Sequence, residues 1–131
     1  LAMEGALKIK EISYIHADVF AAGELKHGTI ALIEKGTPVI AIATQEELFE
    51  KMVSNMEEVR ARGAYVIAIA QEKNTEVEKA ADKVIYIPNV DDIVSSILTV
   101  LPLQLLSYYV AVERGCDVDK PRNLAKSVTV E

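Results

Sequence analysis

Glu11 stands three residues after Lys8, a spacing that makes the two side chains surface neighbours on a helix. A carboxylate with access to two adjacent carbons can move a proton between them, provided burial raises its pKa toward neutrality. A neighbouring ammonium pulls the other way, and spacing does not decide between the two. From spacing alone the plainer reading leads: an exposed helical ion pair worth about 0.2–0.5 kcal/mol. Lys126 lies five residues from the C-terminal Glu131. A lysine attacks a ketone to form a Schiff base only as the neutral amine, and desolvation or a nearby cation depresses its pKa to that end. Arg122, four residues earlier, is such a cation if the stretch is helical. A lysine this close to a terminus reads first as solvated. Against that, Leu124, Val128 and Val130 give the segment apolar surface with which to dock and exclude water.

His27, between a charged turn and Gly28, can exchange protons near neutral pH. His16 falls within the first predicted helix, where packing or polar satisfaction is the simpler role. Cys116 is the only cysteine, which excludes an internal disulfide and points to a reducing, cytoplasmic setting. A small buried or idle cysteine is the simpler reading of it than a thiol nucleophile. Two histidines and one cysteine, far apart, do not suggest a structural zinc site. No glycine-rich dinucleotide loop or P-loop is present, so neither NAD nor ATP is implied, and no cofactor is expected.

The elements that must position these groups follow from hydrophobic period. Leu7, Ile12 and Ile15 recur at helical spacing and predict a first helix from about Ala2 to Phe20. Gly23 and Gly28 bracket a short turn-rich connection, Glu24 to His27. Val39–Ala43, Tyr65–Ala70 and Lys83–Ile87 read as strands, and the continuous apolar runs of the first two suit parallel strands buried on both faces. Between them, Gln45–Arg62 predicts a helix with Leu48, Met52, Met56 and Val59 on one stripe, closed by Gly63. Thr75–Ala81 predicts a shorter one. Asp91 and Asp92 open a last, long apolar helix that stops near Gly115, where carboxylates favour the positive helix end. The alternation indicates an α/β fold with a parallel sheet in a three-layer sandwich. Such folds open with a strand, whereas this chain opens with a helix, so the expectation is that a first strand and a preceding domain lie outside it.

At 131 residues the chain fits one domain, and its net charge of −6, with scattered basic residues, speaks against nucleic acid. Ile93 to Val112 carries no charge and is long enough to span a bilayer. Ser95, Ser96, Thr99, Gln104, Ser107 and a central Pro102 interrupt it, so a buried helix, under a subunit interface, is the better reading and no membrane partner is expected.

Three segments carry a resemblance: Glu4-Gly5-Ala6-Leu7-Lys8-Ile9-Lys10-Glu11-Ile12-Ser13-Tyr14-Ile15-His16-Ala17, then Gly23-Glu24-Leu25-Lys26-His27-Gly28, then the terminal run from Asp117 through Pro121-Arg122-Asn123-Leu124-Ala125-Lys126 to Glu131. Together they resemble the second sugar-isomerase (SIS) subdomain of the glutamine–fructose-6-phosphate aminotransferase family, in order and along the whole chain. The resemblance implies a flavodoxin-like SIS fold over residues 1–115 and a C-terminal active-site tail over 116–131. It implies the conversion of fructose 6-phosphate and glutamine-derived ammonia to glucosamine 6-phosphate. Lys126 would form the Schiff base, Glu11 would move the proton between C1 and C2, and Lys8 would assist around O1 and O2. His27 would open the sugar ring, reaching the site of a neighbouring subunit in a homodimer, and Glu24 would help place the histidine or the sugar. With the full motif present, the catalytic reading of Lys8 and Glu11 overtakes the plain ion pair.

The family pattern also implies what to expect elsewhere. Thr29 stands where many relatives have proline after His-Gly. The Ser/Thr-rich phosphate loop belongs to the family's first SIS subdomain and ammonia production to its glutaminase domain, so the fragment is expected to be inactive alone. Two other readings stay open: a non-catalytic sugar-phosphate-binding SIS module, and a phosphosugar isomerase that uses Glu11 without amination.

Overall fold

A computed structural model of the chain describes residues 1–124. Three parallel strands form one sheet in the order β1 (Pro38–Ala43), β2 (Tyr65–Gln71), β3 (Lys83–Ile87), which bears out the α/β class and the parallel sheet. The register aligns Ala41 with Ala68 and Ala68 with Val84 across the sheet, and Ala43 with Ala70 and Ala70 with Tyr86. Side chains alternate faces along a strand, so these residues share one face with Val39 and Val66. Their small size lets α2 (Phe49–Ala61) come close, and Met56 and Val59 of α2 join the same buried cluster, with Val77, Ala80 and Ala81. Isoleucines 40, 42, 67, 69, 85 and 87 occupy the other face; Ile69 and Ile87 are buried, whereas Ile85 on the edge strand is exposed.

The predicted strands stand, and several helices change. The first helix, α1, ends at Ser13 rather than near Phe20 (Ala2–Ser13), because Tyr14 adopts the left-handed conformation, φ 58°, ψ 29°, which no α-helix continues through. Ser13 Oγ bonds back to the carbonyl of Ile9 at 2.6 Å, a local alternative to helix propagation. The buried residues of α1 are Gly5, Ala6 and Ser13, while Leu7 of the predicted apolar stripe is exposed. The segment Gln45–Arg62 divides into a 3₁₀ turn, Glu46–Leu48, and α2, which leaves Leu48 exposed rather than on the buried stripe. Thr75–Lys79 is likewise a 3₁₀ turn.

The last helix, α3, runs Asp92–Glu113 with Pro102 inside it. Its end is a Schellman closure: Cys116 N–H bonds to Ala111 O and Gly115 N–H to Val112 O, both at 2.9 Å. It is long and apolar enough to cross a bilayer by length and composition. The expectation of a buried helix holds along one row only. Ser95, Thr99, Leu103, Ser107 and Ala111, each four residues apart, are buried. Ile93, Ile97, Leu101, Leu105 and Tyr109, also four apart, are exposed, Ile93 by 86% and Ile97 by 67%. The two rows are offset by two residues, about 200° at 100° per residue, so they occupy opposite sides. The usual sorting is inverted. Buried hydroxyls are satisfied inside the helix, Ser95 Oγ to Asp92 O and Thr99 Oγ1 to Ser95 O at 2.7 Å, Ser107 Oγ to Leu103 O at 2.9 Å.

Two compact units make up the chain: Phe20–Pro102, holding the sheet, α2 and the first half of α3, and a second unit of 1–19 with 103 onward. Within the latter, α1 meets α3 at Gly5, where a methyl group would stand 3.1 Å from the Leu103 side chain. Within the former, Asp82 accepts the Val66 N–H at 2.8 Å and Arg60 Nε at 3.2 Å, tying the end of α2 to the start of β2. Gly63 makes the turn between them at φ 100°, and a Cβ there would lie 2.9 Å from the Lys35 Cα. Both the conformation and the overlap oppose any side chain. Gly63→Ala is therefore expected to cost about 2 kcal/mol of stability, whereas Gly23→Ala, with open space around it, stays within about 0.5 kcal/mol. Urea unfolding of the two variants checks this, and equal midpoints would refute it.

Candidate functional site

Lys8 and Glu11, three residues apart, project from the same side of α1. Lys8 Nζ donates to Glu11 Oε2 at 2.7 Å, and Glu4 Oε1 lies 3.8 Å from the same ammonium. The pair is half-buried, the Lys8 side chain 35% and the Glu11 side chain 25% exposed. The hydrogen bond to Glu11 holds the Lys8 pKa above the ordinary lysine value, with partial burial opposing and the charges of Glu11 and Glu4 adding to it. At neutral pH Lys8 is therefore an ammonium, a hydrogen-bond donor and positive charge rather than a base. The arrangement suits an oxygen that gains negative charge beside a carboxylate that takes a proton.

Glu24 and His27 belong to the other compact unit, on a six-residue 3₁₀ helix, Ala22–His27. Three residues make one turn of such a helix, so the two side chains are stacked on one edge, and both are exposed. Between them on the chain, Lys26 forms an ion pair with Glu58 of α2 at 2.5 Å, which pins the turn to the sheet's helix layer. Thr29 opens a second 3₁₀ turn, Thr29–Leu32, directly after Gly28.

Lys126 lies outside the described residues, as does the tail from 125 to 131. The described part of the tail, 116–124, is not helical, and Arg122 is engaged elsewhere. Its backbone N–H donates to Tyr14 Oη at 2.9 Å, and its guanidinium carbon lies 4.2 Å from the centre of the Tyr14 ring. His16 lies beyond the end of α1, not inside a helix. It is 81% exposed and pairs with Asp18 at 3.1 Å, so it is neither a packing residue nor a satisfied buried one.

Ligands of open parallel sheets bind at the carboxyl ends of the strands. Here that edge is organised by the buried carboxamide of Gln71, whose Nε2 donates to Thr44 O at 3.1 Å and whose Oε1 accepts from Val90 N–H at 3.2 Å. Beside it lies a shallow depression of about 420 Å³ lined by Glu46, Glu47, Phe49, Glu50, Lys51 and Asn74. Three carboxylates make it a poor seat for a phosphate, and it contains none of the residues predicted from the sequence. Asn74 Nδ2 is buried there without a hydrogen-bond partner among the described residues. Among the described residues no group of three or more His, Cys, Asp or Glu side chains is placed to hold a metal ion.

Sequence reasoning missed Gln71 and Tyr14. A glutamine at a strand end gives no periodic signal, and the Tyr14–Arg122 contact spans 108 residues of sequence.

The chain was compared with known proteins. It is 66% identical over all 131 residues to the glutamine–fructose-6-phosphate aminotransferase (isomerizing) of Caldanaerobacter subterraneus subsp. tengcongensis, of which it spans 22% of the length. Among solved structures it is similar to the C-terminal domain of glucosamine-fructose-6-phosphate aminotransferase from Francisella tularensis, with 44% identity and a TM-score of 0.83 over 89% of this chain and 33% of that one. It is also similar to glucosamine-6-phosphate deaminase from Thermotoga maritima, with 30% identity and a TM-score of 0.74 over 95% of this chain and 35% of that one. The SIS domain family model matches residues 1–114, which takes in all three strands and all three α-helices. The chain belongs to the SIS domain family.

Proposed function

We propose that residues 1–115 are the second sugar-isomerase subdomain, and 116–131 the active-site tail, of a cytoplasmic enzyme that makes glucosamine 6-phosphate from fructose 6-phosphate and glutamine-derived ammonia. The observation that carries this reading is the 66% identity over the whole chain with an aminotransferase of that name. The paired ammonium and carboxylate on α1 are the geometry such a reaction needs. In it, Lys126 attacks the C2 carbonyl of the open-chain ketose as a neutral amine, and water leaves as the Schiff base forms. Ammonia then displaces the lysine, which gives the imine of the substrate. Glu11 removes a proton from C1 and returns it to C2, through an enolamine, to yield the amino aldose. Lys8 bonds to Oε2 of Glu11, so Oε1 is the oxygen that carries the proton; the ammonium stabilises charge at O2 during the attack on the carbonyl and at O1 during the proton transfer. His27 exchanges the proton that opens the sugar ring, from across the interface of a homodimer, and Glu24 supports it on the same edge of the 3₁₀ helix. Phosphate binding and ammonia production fall to parts of the longer protein.

The homodimer is supported by the exposed row on α3. Ile93, Ile97, Leu101, Leu105 and Tyr109 form an apolar stripe that water alone would have to cover, and stripes of that kind mark association surfaces.

Borohydride reduction of the full-length protein with fructose 6-phosphate is expected to modify Lys126, and peptide mapping that finds the adduct on another lysine would overturn the mechanism. Glu11→Gln is expected to bring the Lys8 pKa back down toward the ordinary value near 10.4, read by NMR titration of the lysine side chain. An unchanged value would show that the pair is not what holds it. The sign follows from linkage: a raised lysine pKa contributes stability below the unfolded value and loses it as pH climbs through the folded one. Sedimentation of the full-length protein is expected to show a dimer, and a monomer at high concentration would rule out the shared His27.

A further inference from the structure

Helices that close on a left-handed residue use glycine, or less often asparagine, because neither is strained there. α1 closes on Tyr14 at φ 58° and ψ 29°, a conformation in which an aromatic residue is strained. Such strain persists where the surroundings hold it, and the holding contacts come from the far end of the chain. The phenol oxygen accepts the Arg122 backbone N–H at 2.9 Å, and the Arg122 guanidinium carbon lies 4.2 Å from the ring centre, within cation–π distance. Neither glycine nor asparagine has a ring to offer Arg122, so the side chain accounts for a residue that the backbone disfavours.

The clasp has a fixed base. Cys116 N–H is bonded to Ala111 O at the end of α3, and Asp117 Oδ1 accepts the N–H groups of Asp119 and Lys120 at 3.0 Å. The stretch from Cys116 to Arg122 therefore links the end of α3 to the end of α1. The beginning of α1 is seated on α3 as well, at Gly5 against Leu103. Lys8 and Glu11 lie between these two anchors. Glu11 falls in the last turn of α1, three residues before Tyr14 and about 4.5 Å from it along the helix axis. A last turn without such an anchor frays, since its final carbonyls have no partner within the helix. Fraying there would part Glu11 from the Lys8 ammonium, which it meets at 2.7 Å.

We infer that Tyr14 is a positioning residue for the proton transfer: clasped by Arg122, it fixes the last turn of α1 and, with it, the Glu11 carboxylate against Lys8. The inference rests on the proposed role of Glu11.

In the full-length protein, Tyr14→Asn removes the ring and the phenol with a residue that tolerates the left-handed conformation. Its kcat is expected to fall about tenfold, short of the roughly hundredfold that an ångström of misplacement can cost. KM for fructose 6-phosphate and Tm are expected to stay at wild-type values. Tyr14→Phe, which loses only the acceptor, and Arg122→Ala, which loses only the cation, are expected between it and wild type. In a Glu11→Gln background, Tyr14→Asn is expected to lower kcat no further, because its effect runs through the carboxylate. Wild-type kcat in Tyr14→Asn, with Glu11→Gln impaired, overturns the inference and leaves the catalytic reading of Glu11 standing. Losses that add in the double variant also overturn it, since Tyr14 then acts apart from Glu11. A Tm that drops together with kcat does the same, by making Tyr14 a structural residue. Should Glu11→Gln retain wild-type kcat, the underlying reading falls first and this inference with it.

Discussion

Parallel pairing governs this molecule. Strands that run the same way cannot be joined by a hairpin, so each step from β1 to β2 to β3 must cross back over the sheet through other structure. That requirement places α2 on one face and brings every strand exit to one edge. It also explains why the inner face is built of alanine and valine. Ala41, Ala43, Ala68 and Ala70 leave room for α2 to descend until Met56 and Val59 are buried, and larger residues at those positions would push the layer away. At the common edge, the backbone groups that leave the sheet need partners. Gln71 supplies two of them from a single buried carboxamide, so the exits after β1 and β3 are tied through the end of β2.

Helices α1 and α3 obey a different rule. In α1 and α3 the buried positions belong to Gly, Ala, Ser and Thr, with Leu103 the one large aliphatic residue among them, while Leu7, Ile93, Ile97, Leu101 and Leu105 are exposed. Small residues permit close backbone approach, as Gly5 against Leu103 shows. The hydroxyls cost little to bury because each bonds a carbonyl one turn back. An amphipathic helix read in the usual way would have been turned through half a circle. The pattern is what a helix shows when one side packs tightly within its own chain and the other awaits something else.

The chemistry sits on local geometry that is simple to form. A three-residue spacing on a helix brings Lys8 onto Glu11, and that hydrogen bond raises the Lys8 pKa and so keeps the lysine charged. Glu24 and His27 depend on another short-range rule, the three-residue turn of a 3₁₀ helix. Neither pair needs a distant partner to be assembled. The tail does: Arg122 meets Tyr14 only because the fold returns the end of the chain to its beginning.

Several features were therefore legible in the residues alone. Short apolar runs identified the three strands, Gly63 marked the end of α2, and spacing made Lys8 and Glu11 neighbours, because period and local sterics act within a few residues. The terminal Asn-Leu-Ala-Lys segment named a candidate amine for the same reason: a motif is read in place. Tertiary structure alone decided the rest. It ended α1 at a left-handed tyrosine where the periodicity ran on, exposed His16 and Leu48, chose which side of α3 is buried, and gave Arg122 an aromatic partner. Those outcomes depend on contacts between residues far apart in the chain, and hydrophobic period carries no information about which of two possible faces, or which of two distant partners, the packing will select.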